Sequence, residues 1–278
     1  MKVSFYVVQY NKPEFMKLQY SLINTYCNNE FEYIIVNNAK DEANSKIFHD
    51  FCVTNNIREI QTFQDRIPTA QDHSRCLKYI FDNYISSDES DFRIVLDHDM
   101  FPYWYFDIGK LMDSYDIGGV KLGHPPYYLS SFILIFSKNV DLNNVPIDIY
   151  NQQDATIWTY GINNKYKIKW LKHTAQGNRE IRYIFKNSPT ILNNYTNEKI
   201  TFQFIEQNWL HYWQGSGWNN SNPDFHKEKL TFIKLIINNV EVNKLLLDNN
   251  IFYEKATMDA WVDFDNYRLN KLYKNESI

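Results

Sequence analysis

Apolar and polar positions alternate in blocks through the first hundred residues. VSFYVV (3–8) is a short apolar run of β-branched and aromatic residues and predicts a strand. KPEFMKLQYSLINTYC (12–27) places Phe15, Leu18, Leu22, Ile23 and Tyr26 at helical spacing, and Pro13 with Glu14 suits a first helical turn. FEYIIVNN (31–38) predicts a second strand, and EANSKIFHDFCVTNN (42–56) a second helix ended by paired Asn. IREIQTF (57–63) alternates like a third strand, PTAQDHSRCLKYIFDNYI (68–85) reads as a third helix, and DFRIVLDHDM (91–100) as a fourth strand. Strands separated by helices imply βαβ units, hence an α/β fold with a Rossmann-like, mostly parallel central sheet flanked by helices.

The pattern changes after Asp99. IGGVKL (117–122) and SSFILIFS (130–137) predict two further strands around the loop GHPPYY (123–128). QQDATIWTYGIN (152–163) reads as helical and YKIKWLKH (166–173) as extended. From Phe225 onward the chain reads as helical with a tapering polar end. With no internal repeat or Gly/Ser linker, the expected organisation is one domain over residues 1–222, with a C-terminal helical extension, 223–278, packed on it.

Composition narrows the classes. Of 278 residues, 44% are hydrophobic and 22% charged, ordinary for a globular protein, and the net charge of −4 gives no footprint for nucleic acid. Aromatic content is high at 17%, which fits either a sugar- or base-stacking surface or a genome rich in Asn, Lys, Ile, Tyr and Phe codons. Cys27, Cys52 and Cys76 are odd in number, lack metal spacing and read as reduced thiols. MKVSFYVVQYN is too short and too polar after Val8 for a signal peptide, and no apolar run reaches the ~18 residues needed to span a bilayer. A soluble, cytoplasmic protein is therefore expected, and three glycosylation-like triplets (194–196, 219–221, 275–277) count as chance.

The chemistry concentrates where strands end. RIVLDHDM runs an apolar strand into Asp97 and Asp99. Two adjacent carboxylates raise each other's pKa unless a cation sits between them. Residues two apart at a strand end can point to one side, and two carboxylates aimed at one point suit Mg²⁺ or Mn²⁺. The plainer reading is that Asp97 caps the sheet edge while Asp99 starts a turn before Pro102. Ligands of parallel sheets bind at the carboxyl ends of strands, where Gln9 and Tyr10, Asn37 and Asn38, and Asp97, His98 and Asp99 fall. WLHYWQGSGW (209–218) joins His211 to a turn holding Gly215, Ser216 and Trp218, which suggests a metal ligand beside a phosphate-binding loop.

A first strand followed by YNKPEF, a second ending in a polar pair, and an apolar strand running into D-x-D together resemble the GT-A glycosyltransferases over residues 3–218. The individual motifs are short; the resemblance lies in their order and spacing. It implies transfer of a sugar from a UDP- or GDP-linked donor to a glycan, lipid-linked or peptide acceptor. It implies Mn²⁺ or Mg²⁺ held by Asp97 and Asp99 on the donor diphosphate, with His211 as a third ligand. Many family-2-like members carry acidic residues where this chain has Asn37 and Asn38, although Asn can still hydrogen-bond a base or ribose. NQQDATIWTYGINNKYKIKWL (151–171) is similar to the family's acidic-dyad helix, with Gln153 in the first acidic position, Asp154 in the second and Gly161 at the turn. In inverting members that carboxylate is the general base, so Asp154 is the catalytic candidate; as a plain alternative it caps a helix. His73 lies where related enzymes contact the donor, Asp65 and Arg66 precede its helix, and Tyr127 and Tyr128 fall on the acceptor side.

Two other functions fit parts of the pattern. In aspartyl-phosphate phosphohydrolases an apolar strand also runs into D-x-D, but that strand opens the fold, whereas three βα units precede it here. A nucleotide-sugar or glycan-binding module of the same fold without turnover is the second.

Overall fold

The computed structural model describes residues 1–63, 65, 69–123, 127–147, 156–159, 162–174, 202–212, 223–237, 239–249 and 252. Strand β1 (Lys2–Gln9) is buried along all but its first residue. Its side chains alternate between two apolar layers, with Val3, Phe5 and Val7 in one and Tyr6 and Val8 in the other. β2 (Glu30–Asn37) and β4 (Phe92–Asp97) divide in the same way, Ile35, Ile94 and Leu96 against Ile34, Val36 and Val95. Continuous apolar strands of this kind need helices on both faces.

The helices supply those covers. α1 (Pro13–Tyr26) and α2 (Glu42–Asn55) put Phe15, Met16, Ile23, Phe48 and Cys52 into the first layer. α3 (Thr69–Asn83) puts Cys76, Leu77, Ile80 and Phe81 into the second. α2 has sharp ends: the Asp41 carboxylate accepts from Asn44 N at 2.8 Å, and Asn56 stops the helix in the left-handed region at φ 51°.

With β3 (Arg58–Gln61), β6 (Ile117–Leu122), β7 (Tyr128–Ser137) and β8 (Ile168–Trp170), these strands form a sheet in the order β3-β2-β1-β4-β7-β6-β8. β1 pairs in parallel with both β2 and β4, and β2 with β3. β7 runs antiparallel to both its neighbours, β4 and β6, while β8 is again parallel to β6. The fold is therefore mixed α/β with a large, mostly parallel sheet flanked by helices. The chain reverses its direction of sheet growth between β1 and β4, and the crevice beyond their carboxyl ends is where such sheets bind ligands.

A second, antiparallel sheet joins β5 (Met100–Pro102), β10 (Trp209–His211) and β9 (Gln203–Ile205) in the order β5-β10-β9. After β5 comes the single-turn helix α4 (Ile108–Leu111). The chain closes, among the described residues, with α5 (Pro223–Ile236) and α6 (Val240–Asn249). Phe232, Ile233, Ile236, Ile237 and Val242 belong to the same apolar cluster as β1 and α1.

Two expected elements differ. The strand expected over 91–100 breaks after Asp97 into a turn and resumes as β5. The described part of the helix expected over 152–163 consists of two short 3-10 turns, Ile157–Thr159 and Ile162–Asn164. Here hydroxyls compete with helix formation: Thr156 Oγ1 donates to Leu129 O, and Thr159 Oγ1 accepts from Leu129 N at 2.9 Å. Among the described residues no helix is long and apolar enough to cross a membrane.

Arg93, 3% exposed on β4, closes the opposite end of the sheet. Its guanidinium donates to Ile85 O (3.2 Å), Ser137 O (2.6 Å) and Val140 O (2.9 Å). Arg93→Met removes three buried hydrogen bonds, of which the acceptors Ile85 O and Ser137 O keep the backbone N–H of Asp88 (3.3 Å) and Val140 (3.1 Å), and urea unfolding is expected to show a loss of about 3 kcal/mol. A loss below about 1 kcal/mol would mean that these carbonyls find other donors.

Candidate active site

β4 delivers Asp97 at its last position, and a two-residue turn carries His98 and Asp99 into β5. The two carboxylates have different partners. Asp97 Oδ1 is 3.3 Å from His73 Nε2 on α3, both about one-quarter exposed. Asp99 Oδ1 is 3.5 Å from His211 Nε2, and both side chains are more than nine-tenths buried. His98 is buried between them with its ring stacked on Phe15 at 5.7 Å. Burial pushes its pKa down, against the pull of Asp99 and Asp97.

His211 reaches Asp99 through the small sheet. β10 pairs with β5 so that His211 lies opposite Met100, and Tyr212 N donates to Asp99 O at 2.8 Å. The His211 ring is stacked on Phe132 at 4.2 Å, and its Nδ1 has no hydrogen-bond partner among the described residues.

Several residues not picked out from the sequence complete this region. Gln19, fully buried on α1, donates to Asp97 O at 2.9 Å and to Met100 O at 2.6 Å. Its own carbonyl accepts from Tyr33 Oη at 2.8 Å and from Gln9 Nε2 at 3.4 Å. Gln9 is thus placed inside, tied to the turn through Gln19. Lys229 on α5 is fully buried, with Nζ 3.9 Å from the centre of the Tyr212 ring. Burial lowers its pKa to about 7, opposed by the attraction of Asp99. Tyr212 Oη lies 2.8 Å from His226 Nδ1, and His226 Nε2 lies 3.3 Å from Glu14 Oε1. The sequence signal for Gln19 is a polar residue inside the apolar stripe of α1; for Lys229 it is a lysine amid Leu230, Phe232 and Ile233.

The remaining expected residues form a neighbouring network. Asn37 Nδ2 donates to Ser45 O and Oγ and to Glu59 Oε1, the last at 2.7 Å. Asn38 Nδ2 donates to Asp72 at 3.0 Å, and its carbonyl accepts from Lys40 Nζ and Thr62 Oγ1, both at 2.8 Å. Lys40 and Asp72 form a buried ion pair at 2.9 Å. Arg75 bridges Asp72 to Asp65, whose exposed carboxylate takes a two-pronged contact at 2.8 and 2.9 Å. Tyr10 is half-buried at the end of β1. Tyr127 and Tyr128 flank the start of β7, with Lys121 Nζ 3.7 Å from the Tyr127 ring centre. Asp154, Gly215, Ser216 and Trp218, with Arg66, Gln153 and Gly161, lie outside the described residues.

Among the described residues no group of three or more His, Cys, Asp or Glu side chains is close enough to hold a metal by itself. Mg²⁺-type sites commonly use one or two carboxylates plus substrate oxygens. Two donors each about 2.1 Å from an ion lie about 3 Å apart at a right angle, so Asp99 and His211, at 3.5 Å, need only a small approach to share one. The chemistry of the pair fits.

No protein-family model matches the sequence, and no curated protein matches it. Among solved structures the chain is similar to TarS of S. aureus, with 15% identity and a TM-score of 0.40 over 69% of this chain and 41% of that one. It is similar to an active-site mutant of LgtC at 14% identity and a TM-score of 0.40, over 69% and 79% of the two chains. A TarS fragment in complex with UDP gives 18% identity and a TM-score of 0.30, over 44% and 36%. Likenesses at these scores define neither substrate nor reaction.

The depressed Lys229 pKa has a measurable consequence. Between pH 7 and the ordinary lysine value of 10.5 the unfolded chain binds the proton that the folded chain has released, so this residue's contribution to stability rises with pH. Relative to Lys229→Met, the wild type is expected to gain up to about 1.4 kcal/mol per pH unit across that window, read from urea melts. A pH-independent difference would show that the ammonium is not desolvated.

Proposed function

We propose that the chain is a glycosyltransferase that takes a sugar from a UDP- or GDP-linked donor, using Mn²⁺ or Mg²⁺ held by Asp99 and His211 together with oxygens of the donor, with Asp97, paired to His73, beside them. The observation that carries this reading is the buried Asp99–His211 pair at the carboxyl end of β4, assembled by the β5–β10 pairing. A divalent ion bound there supplies positive charge to the departing diphosphate. The chain's own residues do the rest. Buried Lys12, which acts electrostatically on His98, and Lys229, which is attracted by Asp99, stand near the turn. The backbone of Gly215 and Ser216, beside Trp218, offers N–H donors to a phosphate. Gln9, Tyr10, Asn37, Asn38, Asp65, His73 and His98 shape the donor side, His73 by holding Asp97.

Asp154 acts as the general base: its carboxylate takes the proton of the acceptor hydroxyl as oxygen attacks the anomeric carbon from the side opposite the diphosphate, inverting that centre. The acceptor is a glycan or a lipid-linked or peptide hydroxyl, entering beside Tyr127 and Tyr128.

A thermal-shift screen of UDP and GDP with and without Mn²⁺ tests the reading, because a ligand that binds only the folded state raises its melting temperature. A nucleotide shift that requires Mn²⁺ and is lost in Asp97→Ala and Asp99→Ala is expected; a shift equal in both alanine variants overturns it. Asp154→Asn is expected to keep the shift and to slow transfer by about 10²–10⁴-fold. Transfer at the wild-type rate would remove Asp154 from the base role.

A further inference from the structure

The Asp-His-Asp turn is held at its backbone by one side chain. The sequence pattern predicts that the strand runs on through Met100, yet the chain turns after Asp97. Asp97 O and Met100 O, the two ends of the turn, both accept from the single amide nitrogen of Gln19, at 2.9 and 2.6 Å. A carboxamide nitrogen has two hydrogens, and both are used. The amide is oriented at both ends: a flip would aim its oxygen at two carbonyl oxygens, and its oxygen accepts from Tyr33 Oη at 2.8 Å and from Gln9 Nε2 at 3.4 Å. Gln19 is fully buried on a face otherwise made by Phe15, Met16, Leu22 and Ile23, where an unsatisfied amide would be costly.

Pinning both ends of a three-residue step fixes what lies between them. It leaves Asp97 leaning to His73 and Asp99 to His211. We propose that Gln19 is the positioning residue of this site: its amide sets the placement of the two carboxylates and thereby the affinity for a divalent cation. The inference rests on the metal-dependent reading above. Groups that orient metal ligands typically change affinity about 10–100-fold when removed.

The test is a Mn²⁺ titration followed by electron paramagnetic resonance, with Mn²⁺ alone and with UDP, on the wild type, Gln19→Met and Tyr33→Phe. Thermal melts of each protein are recorded alongside. Gln19→Met keeps the volume and removes both donors; its Kd for Mn²⁺ is expected to rise about 10–100-fold. Tyr33→Phe leaves the donors but removes the shorter of the two hydrogen bonds that anchor the amide oxygen, and a smaller rise, with an altered spectrum of the bound ion, is expected. A purely structural role would lower both melting temperatures and leave the Kd of the folded protein unchanged, and that result overturns the proposal. If Gln19→Met does not fold, Tyr33→Phe decides: a raised Kd supports the proposal and an unchanged one overturns it. A wild type that binds no Mn²⁺ under either condition overturns the metal-dependent reading itself, a different failure.

Discussion

Carboxylates at the end of a strand covered on both faces must be compensated by groups that the fold brings to them, and that requirement organises this molecule. Asp97 and Asp99 stand where β4 leaves the core, and neither finds its partner nearby in sequence. His73 comes from α3, His211 from β10. Each is delivered by an element whose apolar face is packed for its own reasons: α3 through Leu77 and Phe81, β10 through Trp209 and Leu210. The site is a by-product of two-sided burial only in its location; its composition is specific.

Placement and charge reinforce one another. The change in strand order between β1 and β4 opens a crevice at the carboxyl end of the sheet. Buried Lys12 and Lys229 stand near this end, and burial lowers the pKa of both, that of Lys229 to about 7, so that its charge responds to its surroundings near neutral pH. Arg93, at the other end of the same strand, serves instead as a hub for three carbonyls. One strand thus carries a structural cation at one end and two carboxylates at the other.

Much of this was legible in the chain because the signals were local. The repeated strand-helix pattern up to Asp97 follows from period and punctuation alone, and Asp41 and Asn56 mark the ends of α2 as capping chemistry predicts. His211 could be singled out by its aromatic and glycine neighbours. What could not be read was long-range. β9 and β10 are three-residue strands with no period to detect, and only pairing makes them strands, β10 with β5 and β9 with β10. The break after Asp97 is bridged by Gln19, a residue whose meaning appears only when α1 is laid against the turn. Asn37 and Asn38 looked like open hydrogen-bonding groups in sequence, and their partners Glu59, Asp72 and Lys40 come from other elements.

The pairing of β5 with β10 also bears on how the protein is made. A nascent chain that has emerged through β4 and β5 holds the complete pair of acids and three βα units able to fold around them. The imidazole and the ammonium that compensate Asp99 are synthesised far later, on β10 and α5. Until they arrive, Asp99 lacks both partners and β5 its neighbour strand, while Asp97 already has His73 of α3. Synthesis therefore separates an early scaffold from a late closure, in which α5 brings Phe232, Ile233 and Ile236 to the apolar cluster that β1 and α1 begin.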